Sequence, residues 1–89
     1  DVFIDPKENY MIFCGIRSVG LGRGDLYISF KNPDGTWSKS VNMGDKINTK
    51  NHELCPFVSK DGKYLFYTSN QDIYWVSAEI INEIKEKTR

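Results

Sequence analysis

Phe3-Ile4-Asp5-Pro6-Lys7-Glu8-Asn9-Tyr10-Met11-Ile12-Phe13-Cys14-Gly15 lies over Phe57-Val58-Ser59-Lys60-Asp61-Gly62-Lys63-Tyr64-Leu65-Phe66-Tyr67-Thr68-Ser69 at a constant offset of 54. The match resumes at offset 47, where Asp25-Leu26-Tyr27-Ile28 lies over Asp72-Ile73-Tyr74-Trp75. The change of offset is the longer glycine-rich loop of the first copy. A repeat of this length signals an array architecture, in which one unit cannot bury its faces alone and its neighbours decide stability.

Each copy opens with a short strand, Val2 to Ile4 or Phe57 to Val58, followed by a tight turn. In the second copy the turn carries Asp61-Gly62, a favoured dipeptide for two-residue hairpin connections. The runs Asn9 to Cys14 and Lys63 to Thr68 follow, apolar and aromatic without alternation, as expected of strands covered on both faces. Asp25 to Lys31 and Asp72 to Ser77 read as third strands, with Asp25 and Asp72 capping the turns before them. Asn32-Pro33-Asp34-Gly35 turns the chain into a fourth, outer strand over Thr36 to Val41, and a polar linker runs from Asn42 to Leu54.

Four antiparallel strands in chain order describe a β-propeller blade. The second copy stops at three. After Ser77, a plausible N-cap, residues 78–87 place Ile80, Ile81 and Ile84 on one helical face, with Glu79 early and Lys85 and Lys87 late to complement the helix dipole. The expected fold is therefore all-β: a first blade over residues 1–50, a three-stranded second blade over 51–77 and a C-terminal helix over 78–89, together part of a larger or oligomeric propeller.

The totals agree with a small globular unit. A chain of 89 residues buries only about 60 to 65% of the surface its unfolded form exposes, so the margin of its core is thin. Twelve basic residues balance twelve acidic ones, which gives no electrostatic reason to expect nucleic acid or an anionic membrane as partner. No run approaches the roughly 18 apolar residues of a membrane span. The chain opens at Asp1 with neither a methionine nor a leader-like segment, so its natural start is expected to have been removed or to lie upstream. Cys14 and Cys55 read as two small buried thiols.

Asp25-Leu26-Tyr27-Ile28-Ser29-Phe30, Asp34-Gly35-Thr36-Trp37, Ile47-Asn48-Thr49, Glu53 with Pro56, Ser59-Lys60-Asp61-Gly62-Lys63 and Asp72-Ile73-Tyr74-Trp75 resemble the WD-repeat-like propeller repeats of bacterial TolB-like proteins. The resemblance covers essentially the whole chain. It implies a propeller whose closing blade takes its outer strand from elsewhere, and a periplasmic or secreted setting. Such propellers serve as scaffolds, ligand-binding discs and gates beside catalytic domains, so the fold does not select among these functions. The first copy departs from the family pattern at Pro6-Lys7-Glu8, which leaves its turn type open. Asp34-Gly35-Thr36-Trp37 is also similar to the structural Asp-box of sialidase propellers, without the usual spacer before the glycine.

The chemical candidates are few. Gly20-Leu21-Gly22-Arg23-Gly24 leads into a strand and not a helix, which argues for a rim loop over a dinucleotide fingerprint. His52-Glu53-Leu54-Cys55 falls short of the four ligands zinc takes, and Glu53 is better suited to satisfying backbone donors where the chain enters the next strand. No serine, cysteine or threonine has a histidine at triad spacing. The expectation is a non-enzymatic binding scaffold without cofactor or metal, whose partners are proteins or further blades. Arg17, Leu21, Arg23, His52 and Glu53 are its expected rim contacts. Two alternatives stand beside it. In one, two-blade chains close into a lectin-like ring with sugar stacked on Trp37 or Trp75. In the other, the blades gate a longer hydrolase.

Overall fold

The computed structural model describes residues 2–16, 24–49 and 53–88. They form a mostly antiparallel β structure with one short helix. Strands β1 (Val2–Ile4), β2 (Tyr10–Ile16), β3 (Gly24–Phe30) and β4 (Val41–Asn42) make one sheet in chain order. Strands β5 (Glu53–Val58), β6 (Tyr64–Ser69) and β7 (Asp72–Ser77) make a second, and α1 (Glu79–Lys87) follows.

The sequence repeat is a repeat of register. Phe3 pairs with Ile12 and Ile4 with Met11, as Phe57 pairs with Phe66 and Val58 with Leu65. Tyr10 pairs with Phe30 and Gly15 with Asp25, as Tyr64 pairs with Ser77 and Ser69 with Asp72. Equivalent residues therefore lie on equivalent faces. We call the face with Phe3, Tyr10, Ile12, Cys14, Leu26 and Ile28 the front of the first sheet. Its counterpart in the second sheet carries Phe57, Tyr64, Phe66, Thr68, Ile73 and Trp75. The back faces carry Ile4, Met11, Phe13 and Tyr27 in the first sheet, and Val58, Leu65, Tyr67 and Tyr74 in the second.

The two sheets stack front to back. Ile12, Leu26, Ile28 and Phe30 share one core with Val58, Leu65 and Tyr67, and Phe3, Tyr10 and Val76 pack against it. The linker adds Met43 and Ile47, while the amphipathic helix adds Ile80 and Ile81. Only one face of each sheet is covered this way. Ile73 is 74% exposed and Trp75 61%, whereas their counterparts Leu26 and Ile28 are fully enclosed. The unbroken apolar runs of β2 and β6 reflect that pattern: the stack inside the chain covers one face of each, and the other still presents apolar atoms outward.

Both copies turn between their first two strands in the same way. Glu8 N–H donates to the Asp5 carbonyl at 2.7 Å, and Gly62 N–H to the Ser59 carbonyl at 2.9 Å. Asp61-Gly62 thus belongs to a four-residue connection between Ser59 and Tyr64, not to a two-residue hairpin. Glu8 adopts the left-handed conformation (φ 59°) where the second copy has Gly62 (φ 73°). The two-residue turn lies between β6 and β7 instead, at Asn70 and Gln71, both with positive φ as a type I′ turn requires.

Four further expectations need revision. The outer strand expected over Thr36 to Val41 is reduced to β4 and a bridge between Lys31 and Trp37. The bridge and the ladder differ in register by one residue, and Ser38 is the cause. Its hydroxyl accepts the Phe30 N–H at 2.9 Å in place of a backbone carbonyl, while its own carbonyl takes the Ser29 hydroxyl. Strand β5 starts earlier than expected, at Glu53, because a bulge between Leu54 and Phe57 accommodates Pro56, which has no N–H to pair. Cys55 takes φ 52° in that bulge and is exposed, so only Cys14 is sheltered, and no disulfide joins the two. The helix N-cap position falls on Ala78, one residue late, yet the Ser77 hydroxyl still accepts the Glu79 N–H at 3.2 Å.

Candidate binding surfaces

Of the expected rim contacts, Arg17, Leu21, Arg23 and His52 lie outside the described residues, as do Gly20 and Gly22 of the glycine loop. Glu53 is described and completely enclosed. One carboxylate oxygen accepts the Thr49 N–H at 3.2 Å, and the other accepts the hydroxyls of Thr49 and Ser69, each at 2.7 Å. The side chain clamps the end of the linker to β6 and offers no atom to a ligand.

Asn48 does a parallel job that the sequence reading missed. Its side-chain amide accepts the Leu26 N–H at 2.7 Å and donates to the Leu26 carbonyl at 2.9 Å, taking the part of a neighbouring backbone beside β3. It also donates to Asn42 Oδ1, while Asn42 Nδ2 donates to Asp25 at 2.9 Å. Asp25 is buried and tied to the outer strand, and Asp72, at the equivalent place in a sheet with three strands, is exposed. A lone asparagine in a polar linker carries no periodic signal, so only the fold reveals its role.

The turn carboxylates are similarly engaged. Asp34 accepts the Thr36 hydroxyl at 2.6 Å and the Thr36 N–H at 3.0 Å, and these bonds, the side-chain one foremost, lower its pKa. Asp61 accepts the Ser59 hydroxyl at 2.6 Å and the Lys63 N–H at 3.0 Å, with the same result. Burial, with the Asp5 carboxylate as a smaller cause, pushes the Tyr10 phenol up to about 12, and burial raises the Cys14 thiol. Among the described residues, no three His, Cys, Asp or Glu side chains gather as a metal site would need. No helix among them is long and apolar enough to cross a membrane.

The two tryptophans do not share a surface. Trp37 is half-buried against the first sheet, its ring 5.8 Å from the Lys31 ammonium, which is itself 2.9 Å from Glu8. Register places Lys31 and Trp37 on the back side of that sheet. Trp75 lies on the front of the second sheet, at the opposite side of the stack, and meets Tyr64 edge to face at 5.3 Å. With Phe57, Tyr64 and Ile73 it forms an exposed, uncharged patch. What this surface can bind is another apolar surface, or a flat ligand that an indole can stack on.

The geometry defines a class: a repeat of antiparallel sheets stacked front to back with one apolar front left open. No family model, no curated protein and no solved structure matches the chain.

Proposed function

We propose that the chain is a non-catalytic binding scaffold, the C-terminal two-blade portion of a TolB-like β-propeller whose partners are proteins. The observation that carries this reading is the front-to-back stacking of two sheets in matching register, with the second sheet ending in a helix where the first has an outer strand. The engagement of Glu53, Asp25, Asp34 and Asp61 in holding loops and strands supports a structural use of the acidic residues. In this reading Arg17 and Arg23 supply the charge with which the rim meets a partner. Class averages of negatively stained particles of the protein should show a disc with a central channel, and their absence would remove the propeller. Reversing charge at Arg17 and Arg23 should weaken capture of a bound protein while leaving the melting curve in place. Unchanged capture would move the contact elsewhere.

A second reading has one observation in its favour. The indole of Trp75 is open to solvent and buttressed by Tyr64, as a sugar-stacking residue would be. A glycan array without specific signal removes it.

A further inference from the structure

We infer that the groove between the first turns of the two sheets takes the guanidinium side chain of an arginine in a partner protein. The inference goes beyond the scaffold reading, because it needs only the connections at residues 5–9 and 59–63 and holds for any number of sheets in the array. These connections stand side by side around a groove of about 500 Å³, within the ordinary range of ligand sites. Asp5, Lys7 and Tyr10 line one wall and Lys60 and Asp61 the other, and Phe3 meets Phe57 edge to face at 5.8 Å between them. Both walls are internal to the chain. Strand β1 reaches the first connection from the far end of its sheet. Helix α1 leaves past Lys63, whose carbonyl accepts the Ala78 N–H, and ends beside the outer part of the first sheet, where Lys85 and Thr88 lie near Phe30 and Val41. A further sheet stacked front to back leaves these two walls in place.

Fixed charge decides the ligand. Asp5 accepts the Asn9 N–H at 3.1 Å through Oδ2, and Asp61 accepts the Ser59 hydroxyl and the Lys63 N–H through Oδ1. Each turn thus holds its carboxylate in place and leaves the second oxygen without a hydrogen bond from the described residues. Lys7 and Lys60 are exposed and pair with neither carboxylate, so their ammonium groups stay in water on flexible stems. Lys63, whose charge also reaches Asp61, does not line the groove. Prepositioned acceptors require less ordering on binding than mobile donors, so the groove favours a cation over an anion. A guanidinium presents a fork of N–H donors to a carboxylate and stacks on an aromatic ring, while its methylene stem covers apolar surface. The groove offers all three partners. Asp5 lies close enough to Tyr10 for its charge to help raise the phenol to about 12, so acid and aromatic share one wall and the phenol stays neutral.

The test is a titration of the isotope-labelled chain with N-acetylarginine amide, followed by amide NMR. Shifts should concentrate at Asn9 and Lys63, whose N–H groups bond the two carboxylates, and at Phe3 and Phe57. The neutral isostere N-acetylcitrulline amide and the anionic N-acetylglutamate amide should leave these signals in place. Methylguanidinium, which lacks the stem, should bind at least about fourfold more weakly, the value of one buried methylene group. Asp5→Asn with Asp61→Asn, which keeps an acceptor in each turn, should weaken binding about tenfold or more. Lys7→Gln with Lys60→Gln should leave it unchanged or tighten it. Circular dichroism checks that both variants fold, and the citrulline probe puts the same question to the unmodified chain. The inference is overturned by an arginine probe that moves none of these signals, by a citrulline probe that moves them equally, or by binding lost with the two lysines. Equal affinity for methylguanidinium overturns the partner protein as the source of the cation.

Discussion

Leu26 and Ile73 occupy the same place in two copies of one repeat, as do Ile28 and Trp75, and their surroundings are opposite. The first of each pair is fully enclosed between the sheets, while Ile73 and Trp75 are 74% and 61% exposed. The local structure is shared down to the register of the ladder, so the difference lies in packing: a second sheet stands in front of the first, and none of the described residues stands in front of the second. A strand pattern thus specifies which face is apolar, and the neighbour decides whether that face contributes to stability. Each large apolar side chain left in water forgoes about 1.5 to 3 kcal/mol of burial.

Truncating the same repeat position in each copy tests this most directly. Leu26→Ala should cost about 2 to 5 kcal/mol in urea unfolding, because it removes an enclosed side chain and leaves a cavity. Ile73→Ala, under conditions where the chain is monomeric, should stay within about 0.5 kcal/mol of the parent. Equal losses at the two positions would mean that the front of the second sheet is covered within a single chain.

The next largest effect concerns a contact at the start of the second sheet. Glu53 joins the linker to the second sheet through Thr49 and Ser69, while the residue in register with Ser69 in the first sheet is Gly15. Tyr27 covers that glycine, and a Cβ there would meet its ring at 3.0 Å. Glu53→Ala should cost about 1.5 to 3 kcal/mol, since it strands the hydroxyls and the N–H that the carboxylate accepts. A neutral result, again by urea unfolding, would show that water replaces the carboxylate and that the clamp does not hold the sheets together.

The repeat, the two sheets, the helix and the use of Glu53 to satisfy a backbone donor were legible in the sequence because each rests on spacing or on a local residue preference. The open and covered faces were not, since Tyr10-Met11-Ile12-Phe13 and Tyr64-Leu65-Phe66-Tyr67 have nearly the same composition while their neighbours in space differ. The broken outer strand was hidden for another reason. Thr36 to Val41 reads as a strand by composition, and a single hydroxyl, that of Ser38, takes over a backbone acceptor's role and shifts the register. The amide of Asn48, folded onto Leu26 from 22 residues away, leaves no periodic trace at all. Of the rim contacts only Glu53 falls among the described residues, and it faces inward.

A smaller, paired effect bears on the shared turn. Glu8 and Gly62 hold the same left-handed backbone, which costs a residue with a Cβ about 1 kcal/mol more than glycine. Gly62→Ala should therefore destabilise by about 1 kcal/mol. Glu8→Gly should gain less than that, because it also removes the exposed ion pair with Lys31, a contact of the kind that contributes about 0 to 1 kcal/mol. Thermal melts of the two variants should move in opposite directions, and a loss of stability in Glu8→Gly would show that the ion pair outweighs the backbone strain.

A further effect lies in alkaline solution, where the covered interface should respond. Tyr10 packs against the inter-sheet core, and its phenol is pushed up to about 12 by burial and by Asp5. The folded state therefore favours the neutral phenol. Its contribution is complete below the unfolded value near 10 and is lost as pH rises from there towards 12. Urea unfolding in steps across this window should show stability falling in the parent chain and falling less in Tyr10→Phe, which has no phenol to ionise. Tyr67, on the second sheet's side of the same core, is raised in the same direction, so Tyr67→Phe should blunt the remaining slope. Parallel slopes in parent and Tyr10→Phe would mean that ionised Tyr10 reaches water without parting the sheets, and the stack would then owe its hold to the aliphatic residues between Ile12 and Leu65 alone.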